Sequence, residues 1–343
     1  MDRIELPRPD DWHLHLRDGD VLPELVRHSA RFGRAIVMPN LRPPVTAVAG
    51  ARAYRERILA ARPPGSDFEP LMTLYLTAAT TTAEIDAAAA DPFVHAIKLY
   101  PAGATTNADA GVRDVLACDE VLRAMAAVGL PLLVHGESID PQVDVFDREA
   151  VFVRETLARV IDRHPTLPIV LEHVSTAEAV AFVEAAPAHV AATITAHHLL
   201  FDRNAMFKGG LRPHMYCLPV LKRAHHREAL VRAATSGSPK FFLGTDSAPH
   251  GRGAKQAPCG CAGVFTAHAA LELYAEAFDA AGALPRLPDF ASRFGPAFYR
   301  LPVATSRVTL VREPWRVPAS YRLGDDELVP LRADELVQWR WLP

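Results

Sequence analysis

Eight short apolar runs, each followed by a longer segment, constrain this chain more than any other feature. The runs occupy residues 12–16, 35–39, 70–76, 94–100, 131–135, 168–173, 190–196 and 241–246. Each is apolar along its length instead of alternating with polar residues, as expected of parallel strands covered on both faces. Helical patterns lie between or beyond them at 20–31, 48–61, 82–90, 112–128, 224–236 and 267–280. Segment 112–128 sets Val115, Cys118, Leu122 and Met125 on one stripe. Ser175-Thr-Ala-Glu178 is a capping-box sequence opening a helix after the sixth run. Repeated β-then-α units without a repeated sequence motif predict an α/β fold, a (β/α)8 barrel. An open doubly wound sheet competes, but neither G-x-G-x-x-G nor a phosphate loop supports it.

From about residue 293 the pattern dissolves into a Pro-rich tail. The tail reads as an extension wrapping the barrel, with room for short strands, so that residues 1–343 form one domain. Pro63-Pro-Gly-Ser66 reads as a surface turn. A net charge of −3 gives nucleic acid or a membrane surface nothing to bind. The start, Met1-Asp-Arg-Ile-Glu-Leu, lacks the apolar core of a signal peptide. No run approaches the ~20 apolar residues of a membrane span. Four cysteines in a chain of this length make no disulfide framework. A soluble cytoplasmic protein is expected.

Barrel enzymes carry their chemistry at the carboxyl ends of the strands. There the runs supply His13 and His15, Lys98, His135, His173 and Asp246. His13 and His15 share one strand face, with Leu14 and Leu16 on the other. Two imidazoles so placed can grip one cation. A lone histidine after an apolar run is ordinarily a packed core residue. Agreement across five of eight runs favours a metal. Lys98 is flanked by apolar residues, and burial pushes lysine toward the neutral amine. A neutral amine can add carbon dioxide, giving an anionic carbamate able to bridge two metals. A lysine that snorkels out, or pairs with a carboxylate, fits the residues equally well.

Several stretches together resemble one family. They are Asp11-Trp-His-Leu-His-Leu-Arg-Asp18, Val37-Met-Pro-Asn40, Ile97-Lys-Leu-Tyr-Pro101, Leu133-Val-His-Gly-Glu137, Leu171-Glu-His173, Arg212-Pro-His-Met-Tyr-Cys-Leu-Pro219, Gly244-Thr-Asp-Ser-Ala-Pro-His250 and Cys259-Gly-Cys-Ala-Gly263. Across nearly the whole chain the pattern is similar to the bacterial, single-function dihydroorotases of the amidohydrolase superfamily. The resemblance implies a hydrolase of pyrimidine biosynthesis that reversibly closes N-carbamoyl-L-aspartate to L-dihydroorotate and water. It implies two zinc ions per subunit, bridged by hydroxide and by Lys98 as N6-carboxylysine. His13, His15 and Asp246 would hold one ion, and His135 and His173 the other. Asp246 would also move the proton. Arg17, Asn40 and His250 would bind the substrate carboxylate, with His15, His135 and main-chain groups of Leu218 and Ala262 also touching substrate. Thr105 and Thr106 would sit on a lid in the glycine-rich stretch 100–111. A homodimer is the implied assembly.

Bland explanations stand beside these. Arg17 equally suits a surface salt bridge with Asp18 or Asp20, and 100–111 a merely long connection. Cys259 and Cys261 are too close for a usual zinc knuckle, and no second pair supplies ligands. Cys118 and Cys217 read as buried or loop thiols. His197 and His198 read as structural, His214 as packed or supporting the site, and His225 and His226 as solvent-facing. Two other functions remain. One is a hydantoinase or allantoinase with the same metal ligands, disfavoured by the carboxylate-binding set. The other is a non-catalytic partner protein, which is expected to have lost ligands.

Overall fold

All eight apolar runs are strands in the computed structural model, which describes residues 2–342. A first strand, β1 (Arg3–Pro7), precedes them. The barrel strands are β2 (Asp11–Leu14), β3 (Arg34–Val37), β4 (Glu69–Tyr75), β5 (Val94–Leu99), β6 (Leu132–Val134), β7 (Ile169–Leu171), β8 (Val190–Ile194) and β9 (Phe241–Leu243). They pair in chain order, every neighbour parallel. Residues just past β9 close the ring against β2. Asp246 N donates to His13 O at 2.9 Å and His15 N to Ser247 O at 3.2 Å. Asp11 fastens the same seam, accepting from Thr245 N at 2.8 Å and Thr245 Oγ1 at 2.6 Å. Burial raises the Asp11 carboxyl to about 6 despite these bonds.

Two cores sit on the two faces of the ring. Inside, every barrel strand gives one residue to a single apolar cluster, from Trp12 and Ile36 round to Phe242. Outside, Leu14, Val37, Leu74 and Ile97 pack against the helices. The pleat thus assigns inward positions in steps of two. β2 departs from it: a register shift between Asp11 and Leu14 lets Trp12 and the two histidines that follow all face inward.

The expected capping box is displaced by one residue. Thr176, not Ser175, caps helix Ala177–Ala185, its hydroxyl accepting from Ala179 N at 3.2 Å. Ser175 N instead donates to the buried Glu149 at 2.9 Å. The stripe at 112–128 begins as a tight turn, Val115–Cys118, and continues as helix Asp119–Val128. Of its four residues, Cys118 is only partly covered.

In the tail, Arg307–Val311 pairs antiparallel with β1 and with Arg340–Trp341. Tyr299, just after helix Phe294–Phe298, stacks on Trp12 with ring centroids 4.5 Å apart and plugs the amino end of the barrel. Among the described residues no helix is long and apolar enough to cross a membrane.

Candidate active site

The inward positions two residues beyond the apolar layer carry polar groups. Ala96 is followed by Lys98, Leu133 by His135 and Val170 by Glu172, all buried. His173 is out of phase with this pattern. It reaches the mouth because its backbone turns left-handed at φ 43°. Asp246 at φ 45° and Arg17 at φ 56° do the same. Such conformations are uncommon for residues with a side chain, and they collect at functional sites.

Three donors meet closely. His13 Nε2 lies 3.3 Å from His15 Nε2, and Asp246 Oδ1 lies 3.3 Å from His13 Nε2 and 3.2 Å from His15 Nε2. A tetrahedral ion with bonds of 2.0–2.1 Å requires ligand atoms about 3.3–3.4 Å apart. The donor set therefore fits a zinc-like ion without rearrangement. Burial drives the His15 imidazole down to about 4, leaving the neutral ring that ligation needs. For Asp246, burial would raise the carboxyl, but the nearby imidazole of His13, then the hydrogen bond with His15, hold it well below the usual range. The His173 ring is centred 5.0 Å from that of His13 and 4.8 Å from that of His135, and its buried Nδ1 has no partner. Burial, reinforced by His135, keeps it neutral.

Two carboxylates that the sequence reading leaves unassigned complete the centre. Glu137 Oε2 accepts from His135 Nε2 at 2.7 Å, turning Nδ1 of that ring away from the carboxylate. Glu172 touches both His13 Nδ1, at 3.0 Å, and Lys98 Nζ. Lys98 is fully buried, so it does not snorkel; the unmodified amine pairs with a carboxylate. Burial lowers its affinity for a proton, with Glu172 opposing.

Arg17 does not pair with Asp18 or Asp20 as the surface alternative supposes. Asp18 is taken by Arg57, at 2.9 and 2.7 Å. Arg17 instead turns into the mouth, Nε donating to Pro249 O at 2.9 Å and Nη2 lying 2.8 Å from His250 Nε2. Asn40 Nδ2 donates to Thr106 O at 3.2 Å, and Ala262 N donates to Thr106 Oγ1 at 3.1 Å. Residues 100–111 thus bridge the mouth. Thr105, Thr106, Leu218 and Ala262 line a cavity of about 20 Å³ with the metal-ligand candidates His13, His15, His135, His173 and Asp246. That space is near the room for one water.

Other candidates fall outside this constellation. His198 is buried and fixed by Thr195 Oγ1 at 2.7 Å and Pro219 O at 3.1 Å. His197 is buried beside it with both ring nitrogens unpartnered. Cys217 is buried, its thiol pushed up to about 12 by burial. Cys259 is exposed and Cys261 partly so. His214 meets Gln256 at 3.1 Å. His225 is solvent-facing, but His226 is half-buried and accepts from Ala177 N at 3.0 Å, helping to cap a helix.

A family model described as "Amidohydrolase family" matches residues 11–285. A protein of Laribacter hongkongensis named dihydroorotase is 64% identical over 342 residues, covering 99% of each chain. The chain belongs to the dihydroorotase family of amidohydrolases. Solved dihydroorotases share its architecture from end to end. The Campylobacter jejuni structure is 35% identical with a TM-score of 0.91, covering 99% of this chain and 98% of that one. The Saccharomyces cerevisiae structure, solved with 5-fluoroorotic acid, is 32% identical with a TM-score of 0.91 and full coverage of both chains.

Proposed function

We propose that this protein is a dihydroorotase that interconverts N-carbamoyl-L-aspartate and L-dihydroorotate. The observation that carries this is the meeting of three ligand atoms at tetrahedral spacing beside a buried lysine, in a chain of this family. His13, His15 and Asp246 would hold one divalent ion, His135 and His173 a second, and carboxylated Lys98 would be shared; zinc suits these donors. When bound, a pair of such ions supplies an acidified water and polarises a carbonyl.

The chain's own residues do the rest. In ring opening, Asp246 takes the proton of the attacking water and delivers it to the leaving ring nitrogen. In ring closure, Asp246 removes a proton from the carbamoyl nitrogen, which attacks the side-chain carboxylate carbon; one carboxylate oxygen then leaves, and Asp246 returns the proton to it as water forms. Asp246 must therefore cycle between ionised and protonated forms. Arg17, Asn40 and His250 bind the remaining carboxylate, Arg17 by parallel charge-assisted bonds. Main-chain groups of Leu218 and Ala262 take the ring edge. Thr105 and Thr106 close the loop over substrate and exclude water.

Residence in the cytoplasm, assembly as a homodimer and organisation as one domain belong to the same reading. Light scattering on the purified protein tests the dimer. A spectrophotometric assay tests the reaction. Dihydroorotate should be consumed, a chelator should stop it, and hydantoin and allantoin should be turned over far more slowly. Preference for hydantoin or allantoin would replace this reading with that of another cyclic-amide hydrolase.

A further inference from the structure

We propose that Glu172 is a positioning residue for the metal centre, its two oxygens holding His13 Nδ1 and Lys98 Nζ at once. The inference rests on the reading of Lys98 as a carboxylated ligand. Glu172, Lys98 and His13 are at most 1% exposed, so water does not compete for these contacts. Val170 belongs to the apolar layer, and Glu172, two residues on, stands at the inward position that Lys98 and His135 occupy on their own strands.

On the histidine side, Oε1 lies 3.0 Å from Nδ1, off the axis of a straight hydrogen bond. A neutral imidazole carries one N–H, and an ionised carboxylate can only accept. Placing the hydrogen on Nδ1 avoids setting a lone pair against the carboxylate. It leaves the Nε2 lone pair facing His15 and Asp246. Carboxylates beside histidines orient metal ligands generally; Glu137 does so through a hydrogen bond to His135, Glu172 through a 3.0 Å contact that falls short of hydrogen-bond geometry.

On the lysine side, Oε2 accepts from Nζ. Carboxylation joins Nζ of the neutral amine to the carbon of carbon dioxide and releases one proton to water. The product keeps one N–H on Nζ. Oε2 can retain that N–H, so the contact survives modification and fixes the direction in which the new carboxylate extends. The opposite role is a counter-ion that neutralises a lysine ammonium. A counter-ion opposes carboxylation, because it stabilises the charged amine and repels the anionic product.

The two roles give opposite outcomes in E172Q and E172D. Wild type and variants are exchanged into carbon-13 bicarbonate with zinc. Three quantities are read: the carbamate carbon signal by NMR, zinc affinity by chelator competition, and the thermal midpoint. A positioning role predicts that zinc affinity falls about 10- to 100-fold in E172Q and that the carbamate signal falls with it. Zinc affinity and carbamate signal at or above wild type in E172Q overturn the proposal. Should E172Q not fold, E172D decides: it keeps the charge but is too short to reach both partners. The proposal predicts a folded E172D with weakened zinc binding, and unchanged zinc and carbamate in it overturn the proposal. A wild type without a carbamate signal refutes the reading of Lys98 instead, and the zinc measurement still decides whether Glu172 orients His13.

Discussion

Arg17 Nη2 lies 2.8 Å from His250 Nε2, although 233 positions separate the two residues. His250 Nε2 also lies 3.1 Å from Ala262 O, so the ring's tautomer decides whether it accepts from Arg17 or donates to that carbonyl. Burial, then the nearby Arg17 charge, push the His250 imidazole down to about 2. The pair is therefore one cation beside one neutral ring. Replacing Arg17 with Met should raise KM for dihydroorotate about 10- to 100-fold, the value of a hydrogen bond to a charged group of roughly 1.5–3 kcal/mol. Steady-state kinetics checks this. An unchanged KM would remove Arg17 from substrate binding.

Asp246→Asn should retain the fold and lower turnover by about a thousandfold, within the usual range for general acid–base catalysis. Metal analysis of the same sample separates loss of proton transfer from loss of metal. Near-normal turnover with metal bound would take Asp246 out of the mechanism.

Thr106 bridges the loop to Ala262, and Asn40 anchors the same loop. Thr105→Ala combined with Thr106→Ala should cut turnover about a hundredfold through misplacement of substrate, with little change in thermal midpoint. Rapid-mixing kinetics reads this. Wild-type turnover would reduce 100–111 to a connection.

The barrel was legible because its strands are buried on both faces and must be apolar throughout. The meeting of the candidate ligands at one mouth was legible because each lies in or at the end of such a run. Glu172 was not, because strand alternation sets it opposite His173. Only the left-handed turn at His173 brings both inward, and nothing in a sequence announces a histidine at positive φ. The true partner of Arg17 was hidden for another reason: its neighbours Asp18 and Asp20 were closer in the chain, and contacts across the barrel seam leave no local signal. The capping box failed through a competitor. Glu149 claims the Ser175 N–H, and the helix starts one residue later.

Glu149 also makes stability depend on pH. Burial raises its carboxyl from 4.5 to about 7, against the opposing Lys222 charge. The native state thus holds a proton that the unfolded chain has already released. Its contribution is full below about pH 4.5 and is lost as pH rises to about 7, a loss of up to about 3 kcal/mol. Glu149→Gln should flatten the fall in urea midpoint between pH 5 and pH 8 (roughly the window of that shift) relative to wild type. Parallel curves for the two proteins would contradict the assignment.

The most direct test of the account is a zinc titration. Chelator-treated protein receives zinc stepwise in bicarbonate buffer while dihydroorotate hydrolysis is followed. Convergence of His13, His15, Lys98, His135, His173 and Asp246 on two ions predicts no activity without metal and a plateau at about two equivalents per chain. Activity that survives complete metal removal would contradict it.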